Sequence, residues 1–142
     1  MKNVSYYIAL LLLCIVLFTG CDGWKWDENG DLDGLWQLTE WHDKTTGNVS
    51  MTKNDELYYS VQLKLLKIQK MDKSGYYFSY FTNTGDSLFL EAPVHWPEDE
   101  KRPLSELAPY GVPANGHFHI DVLNSKNMVL SSTTAILSFR KY

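Results

Sequence analysis

Residues 57–68 have the sequence LYYSVQLKLLKI, in which apolar and polar side chains alternate as they do along a half-buried β-strand. Apolar side chains first share one face of this predicted strand, at Leu57, Tyr59, Val61, Leu63 and Leu65. The apolar phase then flips to Leu66 and Ile68. Such a flip predicts a β-bulge or a sharp bend, and both recur where a sheet curls into a barrel.

Short alternating runs bounded by Gly, Asn, Asp and Pro continue along the chain on both sides of this strand. They predict further strands over Leu35–Trp41, Tyr76–Phe81, Ser87–Glu91, Phe118–Val122, Met128–Leu130 and Ala135–Phe139. A further short or irregular strand near Gly47–Met51 stays open. So many short strands predict an antiparallel sandwich or barrel.

The region between the predicted strands Ser87–Glu91 and Phe118–Val122 does not alternate in this way. Ala92–Pro103 carries three prolines and an acidic run, which predicts a loop. Pro103 suits a helix start and Gly111 a helix stop, so a short helix is expected between them. The predicted fold is therefore all-β, with one short helix before the last three strands.

The N-terminus has the pattern of a targeting signal. Lys2 precedes an apolar run over Tyr6–Phe18, and Thr19-Gly20-Cys21 supplies small residues before a cysteine. This pattern is that of a secretory signal and resembles the lipobox of bacterial lipoproteins. The alternative is a signal-anchor helix, but the apolar run is short for a bilayer span. We therefore expect cleavage before Cys21 and lipidation of Cys21, with no disulfide in the mature chain.

These features divide the chain into a signal peptide (residues 1–20), an acidic glycine-containing tether (residues 21–33) and a folded domain (residues 34–142). Acidic residues behind the lipidated cysteine resemble surface-export signals of Bacteroides-type lipoproteins, although an ordinary linker would look the same. The expected location is the outer membrane, on its periplasmic or cell-surface face. A formal net charge of −4 and the lack of basic nucleic-acid motifs argue against a nucleic-acid partner.

Motifs along the domain support a family resemblance. Gly34-Leu35-Trp36 opens the first strand, Leu104–Gly111 has the pattern Leu-x-x-Leu-x-x-Tyr-Gly, and residues 137–142 read LSFRKY. Together with the lipobox and the tether, this arrangement resembles the lipocalin-like (calycin-type) lipoproteins of Bacteroides-type bacteria. The resemblance implies an up-and-down barrel of about eight strands. It also implies a closing pair in which Arg140 stacks on Trp36 by cation–π attraction.

A barrel of this size has room for one small ligand, so we expect the domain to bind an apolar or amphipathic molecule. The candidate lining residues are Tyr59, Val61, Leu63, Tyr76, Phe78, Tyr80 and Phe118. The same side chains could instead fill a solid core. The domain would then be an envelope interaction module, with Trp96 as the aromatic anchor of a docked protein and Tyr77 and Phe81 exposed beside it.

Enzymatic and metal-binding signals are weak. His117-x-His119 puts two imidazoles on one face of a strand, with Phe118, Ile120 and Val122 on the other, but the sequence places no third metal ligand. No phosphate-binding loop, dinucleotide fingerprint or nucleophile elbow occurs. We therefore expect neither an enzyme nor a protein with a metal or cofactor.

Overall fold

The computed structural model describes Val4, Tyr7 and residues 28–142. Eleven strands occur in this part of the chain: β1 (Gly34–Asp43), β2 (Val49–Met51), β3 (Leu57–Gln62), β4 (Leu65–Lys70), β5 (Tyr76–Asn83), β6 (Ser87–Leu90), β7 (Val94–Trp96), β8 (Glu100–Lys101), β9 (His117–Leu123), β10 (Asn127–Ser131) and β11 (Ala135–Lys141). Three short 3₁₀ helices cover Gly30–Leu32, Lys53–Asp55 and Leu104–Tyr110. In the described part of the chain, no helix is both long and apolar enough to cross a membrane.

Eight of the strands close into one antiparallel barrel. Around the barrel the order is β1, β3, β4, β5, β6, β9, β10 and β11, and β11 pairs with β1 to complete the circle. Strand β2 extends the pairing along β1, and β7 with β8 forms a small flap on β5. Apart from these three short strands, neighbours in the barrel follow one another along the chain, so the predicted all-β up-and-down barrel is confirmed.

Residues 57–68, whose change of apolar phase predicts a bend in the sheet, fold as a hairpin of β3 and β4. The single strand predicted over Leu57–Ile68 is wrong, because Leu63 and Lys64 form a turn and Gln62 pairs directly with Leu65. Leu63 has a φ of 55°, in the left-handed region that a tight turn requires. The turn moves the buried positions by one residue, which accounts for the flip of the apolar phase.

The segment from 92 to 103 is also more ordered than predicted. β7 pairs with the start of β5, and β8 pairs with β7, so two short strands replace part of the predicted loop. The following helix is a 3₁₀ helix that ends at Gly111, where a φ of 91° makes the expected left-handed cap. The short strand that the sequence leaves open near Gly47–Met51 is present as β2.

The folded domain begins before Gly34, the first residue of β1. Leu32 is fully buried, and the Trp36 indole Nε1–H donates to the Leu32 carbonyl over 2.8 Å. The Asn29 side-chain amide donates to the Leu63 carbonyl and to Asp33, at 2.6 Å each. The last residues of the predicted tether are therefore part of the folded domain. Cys21, the expected lipidation site, lies outside the described residues.

Large side chains fill the barrel interior. Those that are less than 2% exposed include Trp36, Leu38, Tyr59, Ile68, Phe118, Met128, Leu130 and Leu137. The Tyr59 and Phe139 rings pack at 4.8 Å between centroids, and the Tyr59 hydroxyl donates to the Tyr110 carbonyl over 2.6 Å. Burial raises the pKa of Tyr59 well above its usual value, so its hydroxyl stays protonated. The interior is thus a packed core.

Candidate functional site

The outer face of the barrel carries a continuous row of side chains across adjacent strands. Leu35 pairs with Ser60, Ser60 with Lys67, and Lys67 with Phe78. Cross-strand partners point to the same side of a sheet, so these four residues share one face. Val61 and Leu66, beside this row, point inward and are buried. Strand alternation therefore separates the outer row from the core.

Two grooves meet along this row. The larger has a volume of about 520 Å³ and is lined by Leu35, Glu56, Tyr58, Ser60, Lys67, Gln69, Met71 and Tyr142. The second has a volume of about 340 Å³ and is lined by Ser60, Gln62, Leu63, Leu65, Lys67, Tyr76 and Phe78. Ser60 and Lys67 line both, so we treat the two as one outer groove. Its polar centre lies between two largely apolar and aromatic ends.

One end of the outer groove is an aromatic platform. The Tyr76 and Trp96 rings stack at 5.4 Å between centroids with an interplanar angle of 8°, and Phe78 lies 6.5 Å from Tyr76. The Lys67 Nζ lies 4.2 Å from the centroid of the Tyr76 ring. Tyr76 is therefore held between the Trp96 ring from β7 and the Lys67 cation from β4, which fixes its orientation.

The opposite end is formed by a second aromatic pair. The Tyr58 and Tyr142 rings meet edge to face at 5.7 Å, and the Arg140 guanidinium lies 6.0 Å from the Tyr142 ring. Partial burial raises the pKa of Tyr58, and the nearby Tyr142 and Glu56 raise this pKa further. Tyr58 therefore presents a neutral hydroxyl to the groove at neutral pH.

The bottom of the barrel is closed by a different cation from the expected one. The sequence predicts Arg140 over Trp36, but Lys141 lies there, with its Nζ 4.8 Å from the centroid of the ring. Lys141 is the direct cross-strand partner of Trp36, whereas Arg140 is paired with Gln37 and donates to its side-chain oxygen over 3.0 Å. The two basic residues are adjacent and therefore face opposite sides of β11.

A model of the lipocalin-like domain family matches residues 16–142. The chain belongs to this family. No curated protein matches the sequence.

Solved structures show the same fold as this lipocalin-like domain. A lipocalin-like protein from Bacteroides uniformis superposes with a TM-score of 0.59 at 20% identity, over 80% of this chain and 100% of its own. An uncharacterized protein from Bacteroides eggerthii gives 0.54 at 23% identity, over 78% and 98%. A protein from Burkholderia xenovorans gives 0.53 at 11% identity, over 78% and 82%. These similarities are to the fold alone.

The lipocalin-like barrel separates the predicted lining residues into two groups. Tyr59, Val61 and Phe118 lie in the packed interior. The others lie on the outside: Leu63, Tyr76 and Phe78 line the outer groove, and Tyr80 is 56% exposed. The predicted set therefore does not form a single site, and the members that line a groove are those on the outer surface.

The two faces of β5 are the reverse of the prediction. Tyr76, Phe78 and Tyr80 are expected inside, but they point outward. Tyr77 and Phe81 are expected outside, but Phe81 is buried and Tyr77 packs against the core. Trp96, the predicted docking anchor, is 48% exposed and stacks on Tyr76 at the edge of the outer groove.

The two histidines of β9 have separate partners. The His117 ring stacks on Phe89 at 4.4 Å, and His119 Nδ1 lies 2.8 Å from Asp121 Oδ1. A register shift opposite β10 moves Val122 out of the predicted inner face, where it is 42% exposed. Within the described residues, no group of three His, Cys, Asp or Glu side chains is arranged to hold a metal ion.

Sequence reasoning names only Leu63, Tyr76 and Phe78 among the residues that line the outer groove, and it misses the others, including Tyr58, Lys67 and Tyr142. Alternation already places Tyr58 and Lys67 on the face opposite the predicted apolar one. They are missed because the ligand is expected inside the barrel and not on its outer face. Tyr142 follows β11, and its backbone N–H donates to the Leu35 carbonyl over 2.9 Å, a contact that no local pattern reveals.

Proposed function

We propose that this protein is a lipoprotein anchored in the outer membrane through Cys21, and that its barrel binds a small apolar or amphipathic ligand. The signal sequence and the lipobox-like residues before Cys21 support the anchor. The protein would face the periplasm or the cell surface. Its partners would be the membrane, through the lipid, and the small ligand, without nucleic acid.

The observation that carries the ligand proposal is the outer groove. Ligand sites are concave, mostly apolar and equipped with a few polar groups, and the outer groove has this composition. Its two parts together extend from Tyr142 to Phe78. The packed interior around Tyr59 and Phe118 leaves this outer surface as the better place for a ligand. The proposed role is binding rather than catalysis.

The test uses the lipidated protein extracted from its own bacterial envelope and analysed by native mass spectrometry. Ser60→Trp would fill the centre of the outer groove, because Ser60 lines both of its parts. Val129→Trp is the matched control, since Val129 points outward on β10 and does not line the outer groove. We expect an additional mass that is lost on denaturation in wild type and Val129→Trp, and absent from Ser60→Trp. A bare wild-type mass, or a ligand kept by Ser60→Trp, would contradict the proposal.

A second candidate function is an envelope protein–protein interaction, and the exposure of Trp96 favours it. Trp96 presents one ring face to solvent and the other to Tyr76. Aromatic residues of this kind are frequent anchors of protein interfaces. In this case the barrel would serve as a solid scaffold without a ligand.

The interaction hypothesis makes its own prediction for cross-linking in intact cells. Trp96→Ala should abolish a defined cross-linked product and leave the unfolding midpoint within about 4 °C of wild type. Phe89→Ala is the control, because Phe89 is exposed to a similar extent, 43%, but lies on β6 away from Trp96. Equal cross-linking of both variants would contradict a docking role for Trp96.

A further inference from the structure

Lys67 occupies the centre of the outer groove. It lines both parts of the groove, and its cross-strand partners Ser60 and Phe78 lie on either side. Lys67 is half-buried, and its ammonium lies against the Tyr76 ring. A positive charge is thus placed where the polar centre meets the aromatic platform.

No carboxylate of the described residues forms an ion pair with Lys67. Glu56 is the acidic residue that lines the outer groove, and it does so at the Tyr58 end. Arg140 lies at that same end. The opposing charges of Glu56 and Arg140 offset each other there. Lys67 therefore sets the sign of the charge at the centre.

We infer that the outer groove takes a ring-containing amphipathic anion, whose negative group meets Lys67 and whose ring lies against Phe78, beside Tyr76. This inference rests on the proposed function and specifies its ligand class. A half-buried ammonium forms charge-assisted hydrogen bonds with a carboxylate, sulfonate or phosphate. A flat ring gains by packing against the half-buried Phe78 ring. A net charge of −4 repels anions in general, so recognition depends on this local cation.

Two fluorescent probes with the same skeleton test the charge requirement. 8-Anilinonaphthalene-1-sulfonate carries two aromatic ring systems and a sulfonate, and N-phenyl-1-naphthylamine lacks only the sulfonate. We expect the purified wild-type protein to bind the sulfonate about fivefold more tightly than the neutral amine in low salt, as expected for one partly screened charge interaction. Added sodium chloride should weaken binding of the sulfonate and leave the amine unchanged.

Variants of Lys67 test whether its charge causes the preference for the sulfonate. Lys67→Met should remove the preference for the sulfonate, and Lys67→Arg should keep most of it, because only the first removes the charge. Lys126→Met is the matched control for overall charge, since Lys126 lies in the β9–β10 turn and does not line the outer groove. Equal loss of the preference in Lys67→Met and Lys126→Met would overturn the inference.

The probes also separate this inference from the proposed function. If Ser60→Trp abolishes binding of both probes while wild type binds them equally, the outer groove binds ligands but the inferred anion preference is wrong. If neither probe responds to Ser60→Trp, the site lies elsewhere and the proposed function itself fails at this groove. Loss of the preference in Lys67→Met alone supports both.

Discussion

The Nζ atom of Lys141 lies 4.8 Å from the centroid of the Trp36 ring and donates a hydrogen bond to the Asp31 carbonyl over 2.8 Å. The same indole donates to the Leu32 carbonyl. Lys141 and Trp36 therefore connect the first residues of the described domain to its last strand. The segment before β1 and the end of β11 close the bottom of the barrel as a unit.

Lys141→Met should lower the free energy of unfolding by about 1 kcal/mol, because it removes the cation from the Trp36 ring. It should also shift the indole N–H resonance of Trp36 in the NMR spectrum. Arg140→Met should leave that resonance in place, since Arg140 contacts Gln37 and Tyr142 instead. A shift caused by Arg140→Met alone would contradict the assignment of Lys141 as the closing cation.

Gly34 makes room for this closing lysine. Its φ of 130° is unfavourable for other residues, and an added Cβ would lie 3.2 Å from Lys141 Cε. Gly34→Ala should therefore lower the free energy of unfolding, measured by urea denaturation, by about 1–3 kcal/mol. Gly47→Ala also meets a positive φ, of 75°, but its Cβ would have nothing within 4 Å. A smaller loss for Gly34→Ala than for Gly47→Ala would show that the close approach to Lys141 is unimportant.

Leu32 tests where the domain begins. Leu32→Ala removes a fully buried side chain and should lower the free energy of unfolding by about 2–4 kcal/mol. Met71→Ala, at a position that is 58% exposed, should change it by less than about 0.5 kcal/mol. Comparable small effects at both positions would mean that residues before Gly34 behave as a tether after all.

Tyr59 predicts a loss of stability at high pH. A tyrosine in the unfolded chain ionises near pH 10, but burial raises the pKa of Tyr59 above that value in the fold. Unfolding at higher pH therefore releases a proton, so stability falls as pH rises above about 10, by up to about 1.4 kcal/mol per pH unit. The contribution is complete below pH 10.

Tyr59→Phe isolates this effect. The substitution should cost about 1–2 kcal/mol at pH 8, because the Tyr110 carbonyl loses its donor. The difference from wild type should narrow between pH 10 and 11, since phenylalanine does not titrate. Urea denaturation at several pH values measures it, and the other tyrosines contribute equally to both proteins. A constant difference across this range would argue against a protonated, buried Tyr59.

Much of the barrel is predictable from the sequence, because most strands have one apolar and one polar face. β1, β9, β10 and β11 alternate clearly and are found close to their predicted positions. The turn between β3 and β4 escapes detection because Leu63 and Lys64 carry none of the usual turn residues. Long-range pairing, rather than local propensity, imposes the left-handed conformation of Leu63.

The faces of β5 could not be assigned from the sequence. Aromatic residues occupy both faces, at Tyr76, Phe78 and Tyr80 on one side and Tyr77 and Phe81 on the other. Ser79 looks like an outward position, but it is buried and its hydroxyl donates to the Glu91 carbonyl over 2.6 Å. A one-residue error in phase reverses every side chain, which is why Tyr76, Phe78 and Tyr80 are expected inside the barrel but point outward.

The most direct test of the proposed ligand site is to locate the aromatic ring of a bound ligand on the protein. Intermolecular nuclear Overhauser effects can be measured between the ring protons of 8-anilinonaphthalene-1-sulfonate and assigned leucine methyl groups. We predict contacts to Leu63 and Leu65, which line the outer groove, and none to Leu130 and Leu137, which lie in the packed interior. Contacts to Leu130 and Leu137 would place the ligand inside the barrel and contradict the account.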